Sequence, residues 1–371
     1  MHKQTNTYPL WAPRFWHGML LSDWISTAAA NQFRMHPLRW ALATSVTAMT
    51  AANSVMRQLD EWRFANQVSQ TELIDDPVFI LGHWRSGTTF LHELLAHDER
   101  FHTPTTYQCF AANHFLLTEW WMPKMFAFLM PSKRPMDNVR LGWHEPQEDE
   151  FALCSMGLPS PYRRIAFPKT SDEFLDWLDM RNIPADQLQA WQDGFQWFLK
   201  RLTLSSGKQI ALKSPTHTGR LALLHQMFPN AKFLHIVRNP FSIYPSTVNL
   251  WNTLDFAHGL QIRQDDTIQE YVLTAFERMY SAFEDARTHV PANQIYDIHY
   301  ERLAAEPIAE LNAAYQHLDL GDFSATEQNL RNKVQQQKDY KTNRYQIDED
   351  VRSAVARRWQ PYFERYGYDA S

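Results

Sequence analysis

The stretch Pro77–Leu95, PVFILGHWRSGTTFLHELL, decides how the rest of the chain is read. Val78, Phe79, Ile80 and Leu81 are consecutive apolar residues, partly β-branched, the composition of a strand buried on both faces of a parallel sheet. Gly82 and Gly87 bound a turn, and from Thr88 onward Phe90, Leu91, Leu94 and Leu95 take up helical spacing. Strand, glycine-bounded turn and helix make an anion cradle, because the first N–H groups of a helix have no internal acceptor. The interval from Gly82 to Gly87 is that of a phosphate-binding P-loop. A nucleotide triphosphatase places Lys after the second glycine; here that residue is Thr88, and the cation lies inside the turn, at Arg85. The loop suits an anion, but not the γ-phosphate of ATP in the usual way.

With 371 residues, 44% hydrophobic and 21% charged, the chain has an ordinary globular composition and enough length for a large core. A net charge of −5 supplies no overall basic field, so no nucleic-acid partner is expected. Two cysteines, Cys109 and Cys154, make neither a disulfide framework nor a metal quartet. The start, MHKQTNTYPLWAPRF, lacks the basic and apolar runs of a secretion signal. Together these predict a cytoplasmic protein without a structural metal.

Residues 1–70 read as an N-terminal helical segment. Trp40–Met56 carries no charge over 17 residues, but it is shorter than the ~20 residues of a span and is interrupted by Thr, Ser and Asn. It reads as an amphipathic helix whose face, Leu42, Val46, Met49, Met56 and Leu59, either docks on the core or lies on a membrane surface. Residues 71–371 read as one α/β domain with a helical, aromatic cap over roughly 104–205. Within the cap, Cys109–Pro131 is broken by Pro123 and Pro131 and reads either as a packed helical cap or as an apolar acceptor pocket or membrane-facing lid. In HEPQEDEFAL, Pro146 suits a first helical position, and Glu148, Asp149 and Glu150 suit the positive end of a helix. Helices are expected over about 171–180, 185–204 and 265–288, and from Ser214-Pro215 onward. Further strands are expected at Gln209–Leu212, Phe233–Val237 and Gln294–His299, and the chain after Pro307 reads as helical and polar. Alternating strands and helices predict a P-loop-like parallel sheet flanked by helices, with ligands beyond the strands' carboxyl ends. There stand Arg85, Ser86, Thr88 and Thr89; Lys213, Ser214 and His217; and Arg238, Ser242 and Ser246. Cations interleaved with hydroxyls are what a multiply anionic nucleotide requires.

These residues resemble the sulfotransferases that use 3′-phosphoadenylyl sulfate (PAPS). GHWRSGTTF, Gly82–Phe90, is similar to that family's loop for the 5′-phosphosulfate, and RNPFSIYPS, Arg238–Ser246, is similar to its 3′-phosphate site. Lys213 and the segment HYERLAAEP, His299–Pro307, add weaker likeness, and GHWRSGTTFLHELL with HEPQEDE looks closer to a bacterial branch than to animal cytosolic enzymes. The resemblance covers about residues 77–310. It implies that Ser86, Gly87, Thr88 and Thr89 hold the 5′-phosphosulfate, that Phe90 packs on the adenine, and that Arg238 and Ser246 grip the 3′-phosphate. Arg85, where the cytosolic enzymes carry Lys, would stabilise charge on the departing oxygen. Lys341 or Arg344 would match a late basic segment that also helps to hold the 3′-phosphate.

The reaction implied is in-line attack of an acceptor hydroxyl or amine on sulfur, with positioning and fixed charge doing most of the catalysis. Arg85 and Lys213 would neutralise the leaving group, and no metal is called for. A base should take the acceptor's proton. The family's histidine position is Pro215 here, which leaves His217 or the pair Glu145 and Glu148. The acceptor is expected to be a small molecule, lipid or carbohydrate, with peripheral membrane contact if residues 1–70 face a bilayer; the sequence sets no oligomeric state. Two other readings compete: a P-loop kinase or nucleotide triphosphatase, and a non-enzymatic protein that binds membrane surfaces.

Overall fold

A computed structural model of the chain describes residues 8–9, 11–131, 140–168, 174–262, 267–336 and 347–371. Its centre is a five-stranded, all-parallel sheet in the order β2-β3-β1-β4-β5. The strands are β1 Val78–Leu81, β2 Phe101–His102, β3 Gln209–Lys213, β4 Lys232–Val237 and β5 Ile295–His299. β1 lies in the middle, with Ile80 level with Lys213 of β3 and Leu234 of β4. All four residues of β1 are fully buried, and they alternate between two cores. Phe79 and Leu81 face one cluster with Leu212, Phe233 and Val237; Val78 and Ile80 face the other with Ala211, Leu234, Ile236 and Ile298. Apolar side chains at every position, not alternate ones, are what a strand covered on both faces requires.

Four of the five strands match their sequence signals closely. β2 does not, since it is two residues long and pairs only with β3, too short a segment to show a period. The helix expected from Ser214-Pro215 begins instead as a 3₁₀ segment, Pro215–Arg220, before an α-helix, Leu221–Met227. Pro146 does not open a helix. It forms an antiparallel bridge with Thr105, Gln147 N–H donates to the Pro104 carbonyl at 2.9 Å, and the helix starts only at Asp149 with Glu148 as its N-cap. Backbone pairing across 104–106 and 145–147 holds that segment extended, overriding the preference of proline for a first turn.

The amphipathic helix near the N-terminus runs farther than its apolar pattern, over Trp40–Gln70. Its buried face is more polar than expected: Val46 and Val68 are joined by Thr50, Asn53 and Asp60, while Leu59 points outward. Asp60 explains this, because both its oxygens accept from the Arg201 guanidinium (2.6 and 3.0 Å) and one also accepts from Leu117 N–H (3.1 Å). Neighbouring segments add polar ties, Trp16 Nε1 to the His258 carbonyl (3.0 Å) and Asn53 Nδ2 to the Met19 carbonyl (3.0 Å). Among the described residues no helix is long and apolar enough to cross a membrane. The aromatic segment after Tyr107 is a set of short helical pieces, Thr106–Phe110, Phe115–Thr118 and Met122–Met125, packed against the larger core.

Candidate active site

β1, β3 and β4 run parallel and end within three residues of one another in register, so the residues that follow them converge at one rim of the sheet. The loop after β1 is held open by backbone geometry that side chains resist. Gly82 has φ +141°, and a Cβ there would meet the Ile236 carbonyl at 2.6 Å; Gly87 has φ +107°, and a Cβ there would collide with the Tyr300 ring. Both positions need glycine. Between them Arg85 also adopts positive φ, 69°, a conformation that a long side chain takes only under constraint. The constraint is visible. Ser86 N–H and Oγ both bond the His83 carbonyl (3.1 and 2.8 Å), and Gly82 N–H donates to Thr218 Oγ1 (2.7 Å). The helix Thr88–Leu95 then starts at Gly87, with its first-turn amides at the mouth of the loop.

The segment after β4 locks onto this loop. Asn239 caps the helix Pro240–His258 by accepting from Phe241 N–H (2.9 Å), which turns the chain directly from strand into helix. Ser246 then faces the loop and accepts from Arg85 Nε at 2.8 Å. Arg238 Nη1 donates to the Arg85 carbonyl at 3.0 Å, and its guanidinium lies 4.2 Å from the centre of the Tyr300 ring. Tyr362, from a helix near the C-terminus, accepts from Arg238 N–H (3.1 Å). The two sequence motifs therefore form one basic surface.

The third strand end is tied to the acidic segment. Lys213 Nζ donates to Glu148 Oε1 at 2.7 Å, and Tyr162 donates to Glu148 Oε2 while accepting from Trp84 Nε1 at 2.9 Å. Burial first, and then the Glu148 charge, push the Tyr162 hydroxyl well above its ordinary pKa, so it stays a donor. Asp149 accepts from Ser214 Oγ (2.8 Å) and pairs with His217 Nε2 (2.6 Å). Burial works to raise the Asp149 carboxyl, but the His217 charge with the hydrogen bonds from His217 and Ser214 outweighs it, and the net shift is downward. Glu150 takes the Arg220 guanidinium on both oxygens, with Thr216 and Ser160 as further donors. The three carboxylates expected to complement a helix dipole instead meet three cationic or imidazole partners from the Lys213–Arg220 segment.

Arg85, Lys213, Arg238, Ser246 and the loop residues Ser86–Thr89 thus gather at one rim, together with Glu148, whose side chain is 12% exposed. His217 is brought close but lies beneath that rim, completely buried, edge-on to Phe79. Glu145 turns away: its carboxylate is 41% exposed and lies 3.8 Å from Arg140. Phe90 is half-buried against the core that holds Val78 and Ile80. Lys341 and Arg344 lie outside the described residues. Residues that sequence reading passed over are Tyr162, Tyr300 and Tyr362. Tyr300 stood inside the quoted HYERLAAEP segment, whereas Tyr162 and Tyr362 carried no local signal. Among the described residues, no group of three or more His, Cys, Asp or Glu is placed to hold a metal ion.

A family model described as the sulfotransferase family matches residues 77–324. The chain is 40% identical over 359 residues, 97% of its own length and 92% of the relative's, to an omega-hydroxy-beta-dihydromenaquinone-9 sulfotransferase, Stf3, of Mycobacterium bovis, and equally to the protein of that name from Mycobacterium tuberculosis. Its fold is similar to that of crystalline sulfotransferase STF9 from Mycobacterium avium (TM-score 0.70, 18% identity, covering 90% of this chain and 87% of that one). It is also similar to STF1 from Mycobacterium tuberculosis H37Rv (TM-score 0.62, 18% identity, 92% and 91% covered).

Proposed function

The chain belongs to the sulfotransferase family and is an enzyme of sulfuryl transfer, and from that premise we propose that it uses PAPS as donor and a hydroxylated, lipid-like quinone as acceptor. Family membership displaces the kinase and the non-enzymatic readings. The observation that carries the donor assignment is the junction of the two anion-binding segments, Arg85 to Ser246 and Arg238 to the Arg85 carbonyl. A nucleotide with anionic groups at both the 5′ and 3′ positions needs two cationic sites side by side. The donor fits the residues present, because glycines at 82 and 87 let the loop turn tightly into the helix Thr88–Leu95, whose first-turn amides have no acceptor within the helix and suit a 5′ anion. In this reading Ser86–Thr89 hold the 5′-phosphosulfate, Arg238 and Ser246 hold the 3′-phosphate, and Phe90 borders the adenine. Lys341 or Arg344 would add a late cation to the 3′ site.

The donor supplies an activated sulfuryl group; the acceptor oxygen bonds to sulfur as the bond from sulfur to phosphate breaks, releasing adenosine 3′,5′-bisphosphate. Arg85 and Lys213 stabilise the negative charge that collects on the departing phosphate. Glu148 receives the acceptor's proton. Its carboxylate is partly open and is aimed by Lys213 and Tyr162, yet each oxygen retains capacity for another hydrogen bond. The burial of His217 and the outward turn of Glu145 favour Glu148 among the three candidates. Tyr162 also joins Glu148 to aromatic surroundings, since its ring lies 4.9 Å from Phe151, 6.1 Å from Trp251 and 6.3 Å from Trp84. These rings belong to the buried core, and the apolar acceptor is proposed from the relative named for an omega-hydroxy-dihydromenaquinone. We place the reaction in the cytoplasm, where both cysteines, buried and free, stay reduced.

Replacing Glu148 by Gln keeps the shape and removes the base. Turnover at saturating PAPS is expected to fall by about 10²–10⁴-fold, with affinity for adenosine 3′,5′-bisphosphate within a few-fold of the parent. A Glu148→Gln enzyme that keeps its rate removes Glu148 from the mechanism. Sulfation of an ω-hydroxylated menaquinol by the parent, detected by mass spectrometry, tests the acceptor; turnover of a sugar but no quinol overturns it.

A further inference from the structure

The Trp40–Gln70 helix buries one side in the protein and leaves a continuous stripe on the other. Trp40, Thr44, Ala48, Ala51, Val55, Leu59 and Trp62 recur at intervals of four, four and three, so they lie along one face. All are exposed except Ala51, which is half-buried, and none is charged. A tryptophan stands at each end, 63% exposed at position 40 and 85% at position 62, roughly 33 Å apart at 1.5 Å per residue. The apolar surface continues past Trp40. Leu38 is 81% exposed, Phe33 is 57% exposed, and Phe256, 65% exposed, is brought alongside by Arg39, which donates to the Phe256 carbonyl at 2.6 Å. His36 N–H to the Leu260 carbonyl (2.9 Å) and Gln261 Nε2 to the Arg34 carbonyl (3.0 Å) fix the same junction.

We propose that this stripe, with the Phe33, Leu38 and Phe256 patch at its end, is a docking surface for an anionic lipid bilayer, on which the protein lies without crossing it. Three features select a bilayer as the occupant. The chain carries net charge −5, yet residues 24–59 contain no Asp or Glu, and Arg34 and Arg39 stand beside the Phe33, Leu38 and Phe256 patch. Basic residues beside an apolar surface are attracted to anionic headgroups. The exposed rings are tryptophan and phenylalanine, and amphipathic Trp settles at headgroup depth. Finally, Phe256 lies on the same helix as Ser246, about 15 Å farther along it at 1.5 Å per residue. The surface would thus lie within reach of a bilayer-held acceptor's tail. That last feature rests on the lipid acceptor proposed above; the first two stand without it.

The test is flotation of the purified full chain with vesicles of phosphatidylglycerol and phosphatidylcholine, beside vesicles of phosphatidylcholine alone. The parent is expected to float with the anionic vesicles, and to do so less at high salt. A Trp40→Ser/Trp62→Ser double variant, and separately Val55→Glu, should bind at least ten-fold more weakly while retaining thermal stability and affinity for adenosine 3′,5′-bisphosphate. A parent that does not float, or variants that float as well as the parent, overturns the proposal. So does light scattering that shows a dimer of this chain broken by the same substitutions, since the stripe would then be covered by a second copy. Failure of the parent to bind adenosine 3′,5′-bisphosphate would strike the donor assignment and leave the flotation result to decide the surface.

Discussion

Arg85, Arg238 and Gly87 carry the most specific demands of the site, and each can be challenged singly. Arg238 is the cation we propose for the 3′-phosphate, and its guanidinium is braced by the Arg85 carbonyl and the Tyr300 ring. Arg238→Ala should weaken adenosine 3′,5′-bisphosphate by about 10–100-fold, the scale of a lost charge-assisted contact, yet leave adenosine 5′-phosphate within a few-fold. Equal losses for both ligands, measured by titration calorimetry, would remove the 3′ assignment. Gly87→Ala combines a φ of +107° with a collision against Tyr300. Such positions cost on the order of 1–3 kcal/mol, so this variant should lose nucleotide binding before it loses its fold. That much was open to sequence reading, because the glycine interval and the Arg–Ser pair are local patterns whose spacing reports their geometry. The tyrosines were not. Tyr362 approaches Arg238 across 124 residues and Tyr162 approaches Glu148 from a 3₁₀ segment, and no periodicity encodes such encounters.

At the level of elements, the helix Asp149–Ser155 and the segment after β3 are clasped by ion pairs rather than by apolar packing alone. Asp149 with His217 and Glu150 with Arg220 are fully buried. A buried pair is weak support compared with an apolar pair of equal volume, but removing one partner strands the other charge. Glu150→Ala should therefore cost about 3–5 kcal/mol of stability, read from urea unfolding. The Glu150→Leu/Arg220→Met double variant should recover much of that loss. If the single variant is near neutral, the pair does not brace the site. These pairs position Glu148, the residue just before them, which predicts that Glu150→Ala also lowers turnover while leaving the nucleotide site intact. The sequence placed this acidic run correctly but offered a helix-dipole explanation, since the partners lie 68 and 70 positions away. β2 escaped notice for a different reason: a strand of two residues has no period to detect.

Across the whole molecule, the N-terminal segment is woven into the same core as the sheet, with Trp16, Trp24 and Val46 beside Phe79 and Leu212. We propose on that ground that residues 1–70 and the α/β domain fold as one unit, so that deletion of 1–70, which strands Arg201 without Asp60, yields insoluble chain. The same interior makes stability depend on pH in a defined direction. Burial lowers His83 to about 3 and His17 and His114 to about 4, and it holds His258 well below its ordinary value. A folded pKa below the unfolded one means that, as pH falls under about 6.5, the unfolded chain gains protons that the folded chain refuses. Stability is therefore full near neutrality and declines between about pH 6.5 and 4, by up to about 1.4 kcal/mol per pH unit for each such histidine. Asp297 is shifted downward despite its burial, because the hydrogen bond and charge of His235, reinforced by Arg287, outweigh desolvation. Its contribution is present above its ordinary carboxylate range and is lost only under more acidic conditions, so it does not move this window. Urea unfolding followed at pH 7, 6 and 5 should show the free energy falling with acid. His114→Gln, which removes one of six histidines that burial shifts downward (His102 and His299 are the other two), should flatten the slope without abolishing it. Stability that is level across that range would mean that these imidazoles accept protons in the folded state, and so that the interior around them is open to water.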